Sequence, residues 1–82
     1  MKLTIEFYGR LKAEFSTGAI ELKLSDNKTS SIEEIYHDLC QSYNTSPNIK
    51  IIKPILNDTF AEWSDSVKAN DVIGFFPPAS GG

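Results

Sequence analysis

Ser30-Ser31-Ile32-Glu33-Glu34-Ile35-Tyr36-His37-Asp38-Leu39-Cys40-Gln41-Ser42-Tyr43 carries the clearest helical pattern in this chain. Ile32, Ile35, Tyr36, Leu39, Cys40 and Tyr43 recur at i, i+3, i+4, i+7, i+8 and i+11, so a helix lines them up as one apolar stripe. Ser30 and Glu33 have the spacing of a capping box, in which hydroxyl and carboxylate each satisfy a backbone N–H at the helix start. The spacing predicts a helix from Ser31 to about Ser42, ended by Asn44 to Pro47. One amphipathic helix needs an apolar surface to lie on, and the flanking sequence supplies it as strands.

Leu3, Ile5 and Phe7 alternate with Thr4, Glu6 and Tyr8, which reads as a first strand ended by Gly9. Arg10 to Phe15 fits a short helical turn, and Ser16-Thr17-Gly18 a chain reversal. Ala19 to Leu24 alternates again, with Ile20, Leu22 and Leu24 on one face, and a polar loop leads to the helix. After it, Ile51 to Asn57 reads as a strand in which Pro54 marks an edge or a start. Asn70-Asp71 is a turn and Val72 to Phe76 a last strand. A hairpin, one long helix, a strand, short pieces and a final strand match an α+β fold, the ubiquitin-like β-grasp. That fold has a mixed sheet with one main helix packed across it, and its first and last strands lie adjacent at the centre. The expected organisation is a β-grasp domain over 1–76 and a flexible C-terminal tail over 77–82.

Eighty-two residues suffice for one small core. A net charge of −3 with scattered Lys and Arg argues against nucleic acid as a principal partner. One Cys excludes an internal disulfide, and with one His leaves no zinc framework. No stretch approaches the roughly 20 apolar residues of a membrane span, and the alternating N-terminus is unlike a signal peptide, so no membrane partner and a cytoplasmic location are expected.

No catalytic constellation emerges. His37 falls on the polar helix face and is expected to pair with Glu33. Cys40 lies on the apolar stripe, where a thiol acts as a small hydrophobe. Trp63 has no evident partner for its indole and is expected to plug the end of the core. Gly9, Gly18 and Gly74 are isolated and form no phosphate-binding loop.

What remains is the run Phe75-Phe76-Pro77-Pro78-Ala79-Ser80-Gly81-Gly82. Pro77 and Pro78 cannot donate ladder hydrogen bonds, so the sheet should end before them and the chain project. Six residues reach roughly 20 Å when extended, enough to enter another protein's active site. The two terminal glycines leave the carboxylate unhindered. An exposed carboxylate on a thin arm is a handle for carboxyl-group chemistry.

With Asn57-Asp58-Thr59-Phe60, Val67, Asn70-Asp71-Val72-Ile73 and the N-terminal Phe7-Tyr8-Gly9-Arg10-Leu11-Lys12, that run resembles the MoaD family, the sulfur-carrier small subunits of molybdopterin synthase. The C-terminal Phe-Phe-Pro-Pro-x-x-Gly-Gly is the specific part. Asn70 stands where the family usually has a turn glycine, and Asn is the other residue best suited to a left-handed backbone. Val67 stands for the usual Leu.

The resemblance implies a chain that is no enzyme on its own and binds no cofactor. A MoeB-like adenylating enzyme, using ATP and Mg, would convert the Gly82 carboxylate to an acyl-adenylate. Sulfur would then replace AMP to give a thiocarboxylate. A MoaE-like large subunit, in a heterotetramer, would accept Gly81-Gly82 into its active site, and the sulfur would pass to cyclic pyranopterin monophosphate in molybdenum cofactor biosynthesis. The family's apolar partner-binding patch falls on Tyr8, Phe60 and Phe76, and Pro77 and Pro78, at the root of the tail, are expected to bind the partner with it. Tyr8 alternates away from Phe7 and Phe76 away from Phe75, so both are expected on the outward sheet face. A thiamin-type sulfur carrier shares fold and Gly-Gly end but is usually shorter and lacks Phe-Phe-Pro-Pro. A ubiquitin-like protein modifier commonly has a basic residue near its glycines, where Ala79-Ser80 is neutral. A plain binding module would carry the glycines incidentally.

Overall fold

Alternation builds the sheet. In the computed structural model, which describes residues 1–25 and 29–78, β1 (Lys2–Phe7) buries Leu3, Ile5 and Phe7 and turns Thr4 and Glu6 outward. The short α1 (Leu11–Glu14) follows, and then β2 (Ala19–Lys23) pairs antiparallel with β1. The main helix α2 (Ile32–Ser42) crosses to β3 (Lys53–Leu56), β4 (Thr59–Phe60) and β5 (Val72–Phe76). Strand order is β2-β1-β5-β3-β4, with β1 and β5 parallel at the centre and in register from Thr4↔Val72 to Phe7↔Phe75. The architecture is the ubiquitin-like β-grasp expected from the order of elements.

The core lies between the helix stripe and one sheet face. Ile32, Ile35, Tyr36, Leu39 and Cys40 meet Leu3, Ile5, Phe7, Ile73 and Phe75. Each large apolar side chain so buried contributes about 1.5–3 kcal/mol. Phe7 stacks on Phe15 at 4.2 Å, which fastens α1 to the end of β1.

The helix starts one residue later than the Ser30–Glu33 spacing suggested. Ser31 is the N-cap: its Oγ accepts from the Glu34 N–H at 3.2 Å, and Glu34 Oε1 accepts from the Ser31 N–H at 2.9 Å. Both registers exist in Ser-Ser-Ile-Glu-Glu. The later one wins because Ser30 is buried and accepts from the Val67 N–H, and Ser31 is bridged to Ser66, which keeps the chain extended through Ser31. The next two N–H groups, of Ile32 and Glu33, donate to the carbonyls of Asp65 and Trp63. At the other end Asn44 takes φ +57, and the N–H groups of Thr45 and Asn44 bond Cys40 and Gln41 carbonyls as a Schellman cap.

The third strand is shorter than the expected Ile51–Asn57. The N–H groups of Ile51 and Ile52 are held by the Asn48 carbonyl in a turn, and Asn57 has φ +50. Asn57 and Asp58, both with positive φ, form the two-residue hairpin turn to β4. Pro54 is inside the strand. Its carbonyl accepts from Ala61 on the β4 side, so its missing N–H costs no bond to β5. Asn70 has φ +69, the left-handed conformation its place in the turn requires.

Candidate partner-binding face and tail root

Register fixes what the outward face presents. Beyond Phe7↔Phe75 the central strands continue side by side, with the Tyr8 N–H donating to the Phe75 carbonyl at 3.2 Å. Tyr8 and Phe76 therefore stand next to each other, ring on ring, with centroids 4.3 Å apart and planes 4° from parallel. Phe76 is 38% exposed and Tyr8 half-buried. The Tyr8 hydroxyl donates to Glu6 Oε1 at 2.9 Å. That hydrogen bond to a carboxylate is the main reason its pKa is raised, with burial adding to it.

Gly74 makes room for this stack. A Cβ there would lie 3.0 Å from Tyr8 Cε2, tighter than an ordinary contact, so the ring would have to give by a few tenths of an ångström. Ile55, in register with Gly74 on one side and Phe60 on the other, carries the apolar surface across to β4. Phe60, expected to lack a strand partner, pairs with Ile55 and is 76% exposed. With Ile55 and the Tyr8–Phe76 stack it makes a run of apolar side chains across the outward face. Beside it a shallow groove of about 440 Å³ runs along Lys53, Pro54 and Trp63. The structure thus gathers Tyr8, Phe76 and Phe60 on one face.

Sequence reasoning passed over Ile55 and Gly74. Their signal was present in the alternation: Ile55 opposes buried Pro54, and Gly74 lies between inward Ile73 and Phe75. It also passed over Gly9, which has φ +55 and lies against Pro77. Pro77 and Pro78 are half-buried and follow the last strand directly. Gly81 and Gly82 lie outside the described residues.

The other candidates take structural roles. His37 Nε2 lies 3.5 Å from Glu33 Oε2 on the exposed helix face. Cys40 is buried, and burial pushes its thiol pKa up, away from a reactive thiolate. Trp63 does have an indole partner, the Ile49 carbonyl at 3.0 Å, and its ring packs against Tyr36 and Phe75. Among the described residues no cluster of three or more His, Cys, Asp or Glu is placed to hold a metal, and no helix is long and apolar enough to cross a membrane.

Several solved structures share this fold. SAMP1 from Haloferax volcanii superposes with a TM-score of 0.80 at 14% identity over the whole of both chains. A Pyrococcus furiosus protein assigned as molybdopterin converting factor subunit 1 gives 0.77 at 15%, covering 96% of this chain and 99% of that one. A chain from the complex of subunits 1 and 2 of the Helicobacter pylori molybdopterin-converting factor gives 0.61 at 19%, over the whole of both chains. No curated protein matches significantly. At such identities these likenesses speak for the fold alone. A family model, that of the ThiS family, matches residues 5–82, which is nearly the whole chain and runs through both C-terminal glycines. The chain belongs to the ThiS family of small ubiquitin-like sulfur carriers.

Proposed function

We propose that this protein is the sulfur-carrying small subunit of a molybdopterin synthase, inert alone and active when its tail enters a MoaE-like large subunit. The observation that carries the reading is the position of the aromatic face. The Tyr8–Phe76 stack is at the root of the tail, with Phe60 further out on the same face. A partner that covers this face has the last six residues beside it, within about 20 Å of reach. The Helicobacter pylori likeness, a chain from a complex of two converting-factor subunits, agrees with such a partner.

The chemistry follows from the carboxylate. As an acyl donor it has no usable leaving group. A MoeB-like enzyme with ATP and Mg supplies one: a carboxylate oxygen of Gly82 attacks the α-phosphorus, pyrophosphate leaves and an acyl-adenylate forms. A sulfur nucleophile then displaces AMP, leaving a thiocarboxylate. That sulfur is a soft anion at neutral pH and attacks the pterin precursor in the large subunit. The protein binds no cofactor of its own in this scheme.

Incubation with ATP, Mg, a sulfur donor and an adenylating partner tests it. The expected product is heavier by the difference between sulfur and oxygen, and supports single-turnover formation of molybdopterin with the large subunit. Isopeptide conjugates instead would assign the chain as a protein modifier. Transfer only to a thiazole-forming partner would make it a thiamin-type carrier.

A further inference from the structure

The geometry points to Gly9 as a positioning residue for the tail: its bare α-carbon is the seat on which Pro77 rests, and this contact sets the direction in which the chain leaves the sheet. The consequence for sulfur transfer rests on the sulfur-carrier reading above.

Gly9 follows Tyr8 at the end of β1, and Pro77 follows Phe76 at the end of β5. The two strands are parallel and in register, so the residue pair after Tyr8 and Phe76 is Gly9 and Pro77. A Cβ on Gly9 would come within 2.8 Å of Pro77 Cγ and 3.6 Å of its Cδ. The first distance is below any ordinary contact, so either the proline ring or the strand end must move. Gly9 also has φ +55 and is held there: its carbonyl accepts from the Lys12 N–H at 3.2 Å, and the Tyr8 carbonyl accepts from Leu11 at 3.1 Å. The seat is thus part of the turn into α1, which Leu11 and Phe15 anchor in the core. Opposite it, the proline has a fixed φ, so the position of its ring and the course of the chain after it are linked. Two glycines act at this corner. Gly74 lets Tyr8 lie flat beside Phe76, and Gly9 lets Pro77 come down next to it. A displaced proline would turn the chain at its exit from β5, and misplacement of a reacting group by about 1 Å can cost a hundredfold in rate.

The test is a double-mutant cycle of Gly9→Asn and Pro77→Ala, read by single-turnover sulfur transfer from thiocarboxylated protein at saturating large subunit. Asn tolerates positive φ but carries a Cβ, so it isolates the collision from backbone strain. Each variant is expected to slow transfer at saturating large subunit about tenfold or more, and Gly9→Asn to change affinity for the large subunit by no more than about threefold. The double variant should be no slower than the worse single one, because both act through one contact. Rates within about twofold of wild type, or effects that multiply, would overturn the seat. Thermal melts check folding. Should Gly9→Asn not fold, the double variant carries the test: Pro77→Ala removes the ring atom that the added Cβ would meet, so the double variant should fold, and its failure to fold would overturn the seat. A wild-type protein that accepts and transfers no sulfur would sink the carrier reading, and the seat's role with it. That failure differs from an active wild type with indifferent variants.

Discussion

The side-chain amide of Asn57 bridges the β3–β4 turn to the start of β5: its Nδ2 donates to Asp71 Oδ1 at 3.0 Å and its Oδ1 accepts from the Val72 N–H at 2.9 Å. Asp71 is only 5% exposed, and its other carboxylate oxygen accepts from the Lys68 N–H at 2.7 Å. The turn that presents Phe60 is thereby tied to the central strand that presents Phe76. Asp71→Ala leaves the Asn57 amide and the Lys68 N–H without this partner and is expected to cost about 1–3 kcal/mol. Urea denaturation measures it. A midpoint equal to wild type would mean that the bridge contributes nothing.

Phe60 separates binding from folding. It is the most exposed of the three aromatics, so Phe60→Ala should leave stability within about 0.5 kcal/mol of wild type. It should weaken the complex with a MoaE-like subunit by ~2 kcal/mol, about thirtyfold. Phe76→Ala also removes the ring stacked on Tyr8, and should lose about 1 kcal/mol of stability besides affinity. Calorimetric titration beside thermal melts distinguishes them. Undiminished affinity in folded Phe60→Ala protein would remove Phe60 from the interface.

Tyr36 makes stability fall in alkali. Burial pushes its phenol up to about 12, from about 10 in the unfolded chain. The folded state holds the proton more tightly, so this contribution is complete below about pH 10 and is lost as pH rises towards 12. Tyr36→Phe gives up the hydrogen bond that the hydroxyl accepts from the Asn48 N–H, about 1 kcal/mol at pH 8. It should then lose less than wild type between pH 10 and 11.5. Equally steep urea-midpoint profiles for the two proteins would refute the assignment.

The fold was legible because its signals are local and periodic. Period-two runs at Leu3–Tyr8 and Ala19–Leu24, the helical stripe, and turn residues at Asn57, Asp58 and Asn70 all appear as short patterns. What escaped depends on distant partners. Ser30 and Ser31 offer the same capping spacing, and only Val67 and Ser66, far along the chain, decide between them. The Trp63 indole finds a backbone carbonyl at Ile49, which side-chain pattern does not reveal. The outward face was half legible. Alternation placed Tyr8 and Phe76, but the link through Ile55 to Phe60 needs the pairing of three strands. Gly9 and Gly74 read as isolated glycines until Pro77 and Tyr8 are seen to fill the space their missing side chains leave.

The tail itself carries the last prediction. Removing Gly81 and Gly82 should leave the melting temperature unchanged, since the core residues lie between Leu3 and Phe75 and the last strand ends at Phe76. The deletion should abolish adenylation and sulfur transfer, because the acyl group is drawn back by two residues, roughly 7 Å. One residue added after Gly82 should do equal damage, by moving the carboxylate and filling the reacting position. Gly81→Ala is the finer probe. It adds a Cβ beside the reacting carbonyl and restricts φ, while Tyr8, Phe60 and Phe76 are untouched. Binding to the large subunit should therefore hold within about twofold, while single-turnover molybdopterin formation slows by about tenfold or more, the pattern of a group that matters in the transition state rather than in docking. Turnover by the tail-deleted protein, with other sulfur sources excluded, would show that sulfur does not travel on Gly82.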